Sequence, residues 1–81
     1  MSLQDIQQRV ISIVAEQSGI EAGQIKIESN LVSDLGMDSL DIIETVMAVE
    51  DEFAIEITDE ETERMATVSD ITTYLIQKGG A

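Results

Sequence analysis

Gly36-Met37-Asp38-Ser39-Leu40-Asp41-Ile42-Ile43-Glu44-Thr45-Val46-Met47-Ala48-Val49-Glu50-Asp51-Glu52-Phe53 is the one stretch of this chain whose pattern is too elaborate for packing alone. It reads as a helix starting near Ser39. At about 100° per residue, Ile42, Val46, Val49 and Phe53 fall on one narrow stripe, the face that a helix turns to a core. A second apolar stripe, Leu40, Ile43 and Met47, lies about a third of a turn away. Acids edge it, with Asp41, Glu44 and Asp51 on one side and Glu50 on the other. An apolar strip bordered by carboxylates suits the docking of basic partners better than burial.

Ser39 stands at the entrance of this helix, behind Asp38 and a glycine, Gly36, that lets the loop turn tightly. Its hydroxyl has two uses. One is an N-cap, shared with Asp38, that accepts from the free amides of the first turn. The other is a modification site, where a phosphate ester would lie near the positive end of the helix dipole. The two are compatible.

The 81 residues make one domain, 1–81, with one modest core and no room for an enclosed active site plus a scaffold. Aromatics are only 2% of the chain, so that core must be built from Ile, Val, Leu, Met and Ala. Seventeen acids against four bases give a formal charge of −13, which argues against nucleic acid and anionic membranes and for basic protein patches as partners. Cysteine and histidine are both absent. That excludes disulfides and thiolate zinc sites, leaves no side chain that ordinarily titrates near neutrality, and weighs against an autonomous enzyme. Met1-Ser2-Leu3-Gln4-Asp5 carries neither a signal nor a transit pattern, and no apolar run reaches membrane-spanning length. The expectation is a soluble, cytoplasmic monomer without membrane insertion.

Along the chain, Ser2 with Asp5 opens a first helix whose Leu3, Ile6, Val10, Ile13 and Val14 repeat at helical spacing, and which runs to about Ser18 with Gly19 as its stop. Residues 20–38 lack sustained periodicity and read as a long loop pinned by Ile25, Ile27, Leu31, Val32, Leu35 and Met37. The alternation Ile25-Lys26-Ile27-Glu28 has no partner of similar strength, so no strand is expected, and Leu31 to Leu35 suits a short helical turn. After the central helix, Thr58 with Glu61 opens a brief helix through about Met65. Thr67 or Ser69, with Asp70, caps the last helix; Val68, Ile71 and Leu75 turn inward, Lys78 suits its negative end, and Gly79-Gly80 stops it. The fold class is all-α, a four-helix bundle of three main helices plus one short helix, with the long loop between helices one and two.

Asp38-Ser39-Leu40-Asp41 after Leu35-Gly36, followed by Glu44, Val46-Met47, Glu50 and Glu52-Phe53, resembles the 4′-phosphopantetheine attachment region of acyl carrier proteins. The likeness extends over essentially the whole chain, through Ile57-Thr58-Asp59-Glu60-Glu61 and Thr67-Val68, and is to the stand-alone, type II carriers of fatty-acid or polyketide type. The resemblance implies that Ser39 receives 4′-phosphopantetheine from coenzyme A through a phosphopantetheinyl transferase. The arm then carries acyl thioesters between acyl-loading, elongating and modifying enzymes with basic docking patches. It implies no catalytic residue and no specific metal. Docking would fall to Leu40, Ile43 and Met47 with Asp38, Asp41, Glu44, Glu50 and Asp51, and an acyl pocket would be lined by Ile42, Thr45, Val46, Val49, Phe53, Ile57, Met65, Ile71 and Leu75.

Three residues depart from the family's pattern. Thr45 stands where fatty-acid-type carriers usually have Leu, where its hydroxyl must bond back to the preceding turn or line the pocket. Met37 replaces the usual Ala, and the connector Ile57-Thr58-Asp59 lacks its proline. They leave open whether the chain serves housekeeping fatty acid synthesis or a specialised lipid or polyketide pathway. The alternatives are a peptidyl or alanyl carrier, disfavoured by the acidic Asp38-Ser39-Leu40-Asp41 segment, and a non-carrier acidic interaction module in which Ser39 is only a cap. A calcium loop counted from Asp34 fails at Gly36, Ser39 and Thr45. The Glu50-Asp51-Glu52-Glu56 cluster is better read as a solvated face than as a loose cation site.

Overall fold

The computed structural model describes residues 2–78 and places in them four α-helices: α1 (Leu3–Ser18), α2 (Ser39–Phe53), α3 (Asp59–Glu63) and α4 (Val68–Gln77). Three are long and α3 is short, as the sequence pattern requires, and α1 packs against both α2 and α4. The α3 helix ends at Glu63, two residues short of the expected Met65. The Gly79-Gly80 stop lies outside the described residues.

Every helix opens with the same device. Ser2, Asp38, Thr58 and Thr67 each accept a hydrogen bond from the amide three residues on, and the side chains of Asp5, Asp41, Glu61 and Asp70 accept from the cap residue's own amide. These reciprocal pairs satisfy amides that the helix leaves unpaired and set a carboxylate near the positive end of each dipole. Thr67, not Ser69, caps α4. At α2 the pair corrects the expected role of Ser39. Asp38 Oδ1 accepts from Asp41 N at 2.9 Å, and Asp41 Oδ2 accepts from Asp38 N at 3.2 Å, so Ser39 is the first helical residue rather than the cap.

The core gathers Ile6, Val10, Ile13 and Val14 from α1, Val46 and Val49 from α2, and Val68, Ile71 and Leu75 from α4. Ile42 and Phe53, expected on the buried stripe, are only half-buried, whereas Thr45 is fully buried. The buried face of α2 is therefore rotated toward Thr45, whose hydroxyl donates to Asp41 O at 2.8 Å. A threonine satisfied by its own preceding turn can be buried without an unpaired polar atom.

Of the apolar residues expected to pin the long loop, Ile25, Leu31 and Met37 are buried in the same core and Leu35 is half-buried against it, whereas Ile27 and Val32 are exposed and do not pin it. Its backbone adds what periodicity does not show. A short 3₁₀ turn spans Ala22–Gln24, and Leu31 N donates to Ala66 O at 2.8 Å, Val68 N to Ser29 O at 3.2 Å and Ser69 N to Ile27 O at 2.7 Å. These bonds staple the loop to the α3–α4 connection around one antiparallel bridge, Asn30 with Thr67. The partner missing from the sequence reading is thus a single residue at a helix cap, and no strand forms among the described residues.

Gly19 ends α1 in the left-handed conformation, φ 75°, that glycine adopts without strain. Ala54 ends α2 in the same region, φ 55° and ψ 48°, and is the one non-glycine residue with positive φ among those described. An L-residue there costs roughly 1–2 kcal/mol. Ala54→Gly is expected to raise the unfolding free energy by about 1 kcal/mol in urea denaturation; an unchanged or lower value would contradict the conformation assigned to Ala54.

Candidate functional site

Ser39 sits in the first turn of α2 with its side chain exposed. Because Asp38 and Asp41 pair with each other's amides, the Ser39 hydroxyl has no capping duty, and among the described residues it makes no hydrogen bond.

Along α2 from Ser39 run Leu40, Ile43 and Met47, exposed by 62%, 51% and 58%. Such exposure on three large apolar side chains sharing one helix face is not explained by the fold's own packing. Glu44 and Asp51 are exposed at the rim, and Asp41 is half-buried with its carboxylate in the capping pair. Glu50 differs. It lies between the strip and the core face, half-buried, and its carboxylate accepts a hydrogen bond from Ile57 N at 2.8 Å, bracing the connector after α2.

A groove of about 770 Å³ opens beside Ser39. Ser39, Ile42 and Ile43 form one wall, Asp59, Thr62 and Glu63 of α3 the other, and Asn30, Val32, Met65 and Ala66 complete it. Of the nine residues expected to line a pocket, Ile42 and Met65 reach this groove. Thr45, Val46, Val49, Ile57, Ile71 and Leu75 are buried in the packed interior. Phe53 lies at the other end of α2, about 20 Å along the helix from Ser39. The groove at the surface is therefore distinct from most of the lining that the resemblance implies. Its α3 wall was missed, although Asp59, Thr62 and Glu63 follow the i, i+3, i+4 spacing of one helix face. A five-residue helix gives that spacing too little length to stand out.

The α3 wall is tied to α4 by a hydrogen-bonded group centred on Glu61. Its Oε1 accepts from Tyr74 OH at 2.9 Å, from Thr58 N at 3.1 Å and from Thr58 Oγ1 at 3.0 Å; Lys78 Nζ lies 3.6 Å from Oε2. Tyr74 OH also lies 3.2 Å from Glu56 O. The Thr58 amide, helped by the Tyr74 hydroxyl, Thr58 Oγ1 and Lys78, holds the Glu61 carboxyl below its ordinary range against the opposing effect of burial. Burial first, and then the Glu61 carboxylate, push the Tyr74 phenol up to about 12.

Among the described residues no group of three or more acids is placed to hold a metal ion. The Glu50-Asp51-Glu52-Glu56 cluster is divided, since Glu50 braces Ile57 and Glu52 pairs with Arg9 across the α1–α2 contact. No helix among the described residues is long and apolar enough to cross a membrane.

Residues 8–75 match the family model described as "Phosphopantetheine attachment site", which puts this helical domain in the class of carriers that bear that group. The acyl carrier protein of Bdellovibrio bacteriovorus is 47% identical over 76 residues, covering 94% of this chain and 97% of the relative. That of Prochlorococcus marinus is 50% identical over 80 residues, covering 99% of this chain and all of the relative. The chain belongs to the acyl carrier protein family: it carries acyl intermediates as thioesters on a phosphopantetheine-type group and is not itself an enzyme.

The Tyr74–Glu61 contact sets an alkaline limit on stability. Folding raises the Tyr74 pKa from 10.0 to about 12, so the contribution is complete below about pH 10 and is lost as pH rises through 12. Denaturation across this window is expected to show wild type losing more stability than Tyr74→Phe, the two curves converging as the phenol ionises. Parallel curves would contradict the assignment.

Proposed function

We propose that Ser39 is the residue that bears the 4′-phosphopantetheine, attached through Oγ by transfer from coenzyme A. The observation that carries this reading is the Asp38–Asp41 capping pair, which leaves the Ser39 hydroxyl exposed and unengaged at the mouth of the groove. The residues present fit the group. A phosphodiester on Ser39 Oγ would project from the first turn of α2, where the helix dipole favours an anion, and the groove beside it has room for an arm or its cargo. When attached, the group supplies a terminal thiol for acyl thioesters. The chain has no cysteine to compete with that thiol for the load.

Leu40, Ile43 and Met47 form the apolar contact with partner enzymes, and Asp38, Asp41, Glu44 and Asp51 pair with lysines and arginines around it. Glu50 contributes negative charge to this field while its carboxylate braces Ile57. Exposed ion pairs are worth little individually, so such a surface favours quick release, as a shuttle between enzymes requires. Those enzymes are a phosphopantetheinyl transferase and acyl-loading, elongating and modifying enzymes of fatty acid or related lipid and polyketide synthesis. The carrier acts as a cytoplasmic monomer. Acyl chains rest against Val32, Ile42, Ile43 and Met65 in the groove.

Intact mass after incubation with coenzyme A and a broad-specificity phosphopantetheinyl transferase tests the site. A gain of one phosphopantetheine is expected for the wild-type chain and none for Ser39→Ala. No gain by a folded, unmodified chain, or an equal gain by the variant, would refute the assignment.

A further inference from the structure

We propose that Met47 is an oxidation site whose conversion to the sulfoxide weakens docking of the carrier to its partners. The inference rests on the docking strip assigned above. Of the methionines in the described residues, Met37 is 2% exposed and Met65 6%, both held in the core, whereas Met47 is 58% exposed in the middle of the strip. With no cysteine in the chain, the Met47 thioether is the accessible soft nucleophile among the described residues. A peroxide is the oxidant. The sulfur lone pair attacks one peroxide oxygen, the O–O bond breaks and a sulfur–oxygen bond forms; the departing hydroxide takes the proton from the transferred oxygen and leaves as water. Sulfur loses two electrons and the peroxide gains them.

The consequence follows from position. Met47 stands one helical turn beyond Ile43 and two beyond Leu40 on the same face, so a sulfoxide puts a strong dipole into the apolar part of the strip. A partner that buries this face must then desolvate a polar group with no partner of its own. The core does not depend on Met47, which lies outside the buried cluster, so the fold is retained. Methionine sulfoxide reductases restore the thioether, making the change reversible.

The test uses the apo chain, hydrogen peroxide as oxidant, and coenzyme A with a broad-specificity phosphopantetheinyl transferase as probe partner. Peptide mapping after limited oxidation is expected to find the added oxygen on Met47 before Met37 and Met65. The oxidised chain should keep its circular dichroism spectrum. Its transfer kcat/KM should fall about fivefold, mainly through KM, as the loss of one partly buried apolar contact implies. Reductase treatment should restore the rate, and in Met47→Leu the ratio of peroxide-treated to untreated rates should stay at one. Oxidation of Met37 or Met65 as fast as Met47, or an unchanged rate for chain oxidised at Met47, would overturn the proposal. Failure of the Ser39 reading is separate, because the untreated chain would then not be loaded at all.

Discussion

The reciprocal bond between Asp38 and Asp41 is the constraint on which the start of α2 and the faces it presents depend. A helix start leaves amides without partners, and the two short carboxylates satisfy amides from opposite sides of the first turn. Two consequences follow at once. The position of α2 is fixed at its first residue, which orients the Leu40–Ile43–Met47 face outward and the Thr45–Val46–Val49 face inward. The serine between the two acids is released from structural duty. Had Ser39 been the cap, its hydroxyl would have been tied to the backbone, and esterifying it would have broken the helix start.

The same economy runs through the rest of the chain. With 17 acids and almost no aromatic residues, the protein holds its shape with branched aliphatic packing and with carboxylates turned onto backbone amides. Asp5, Asp41, Glu61 and Asp70 each serve a capping pair, Asp34 accepts from Asn30 N at 2.7 Å, and Glu50 accepts from Ile57 N. Placing acids against amides converts part of the self-repulsion of a −13 chain into local order. Glu44 and Asp51, which have no such structural bond, stay exposed at the edge of the apolar strip beside the capping acids.

Much of this was legible in the sequence because helical period is a strong signal over a long segment. α1 and α2 were bounded correctly by Gly19 and by Ser39, and the exposed strip followed from the angle between two apolar stripes. The pattern is weakest where elements are short: α3 ends at Glu63, two residues before the expected Met65, and Asp59, Thr62 and Glu63 do not stand out as a groove wall. Ser and Asp are both good N-caps, and the choice of Asp38 over Ser39 rests on backbone geometry that composition does not carry. Of the pocket residues that the resemblance implies, Thr45, Val46, Val49, Ile57, Ile71 and Leu75 lie in the packed interior. The groove instead borrows polar residues from α3 and the loop, whose Asn30 is held by its bridge to Thr67 at the start of α4. That bridge joins residues 37 positions apart, beyond any local pattern.

The division of labour between Asp38 and Ser39 is measured most directly by urea denaturation of Asp38→Ala, Asp38→Asn and Ser39→Ala. Asn removes the same charge as Ala but keeps an acceptor, so the comparison isolates the cap from the relief of repulsion. Asp38→Ala should be less stable than Asp38→Asn by about 1 kcal/mol, and Ser39→Ala should stay within about 0.5 kcal/mol of wild type. A Ser39→Ala loss as large as the difference between the two Asp38 variants would mean that the serine hydroxyl holds the helix start, contradicting the account of Ser39 as a side chain free for attachment.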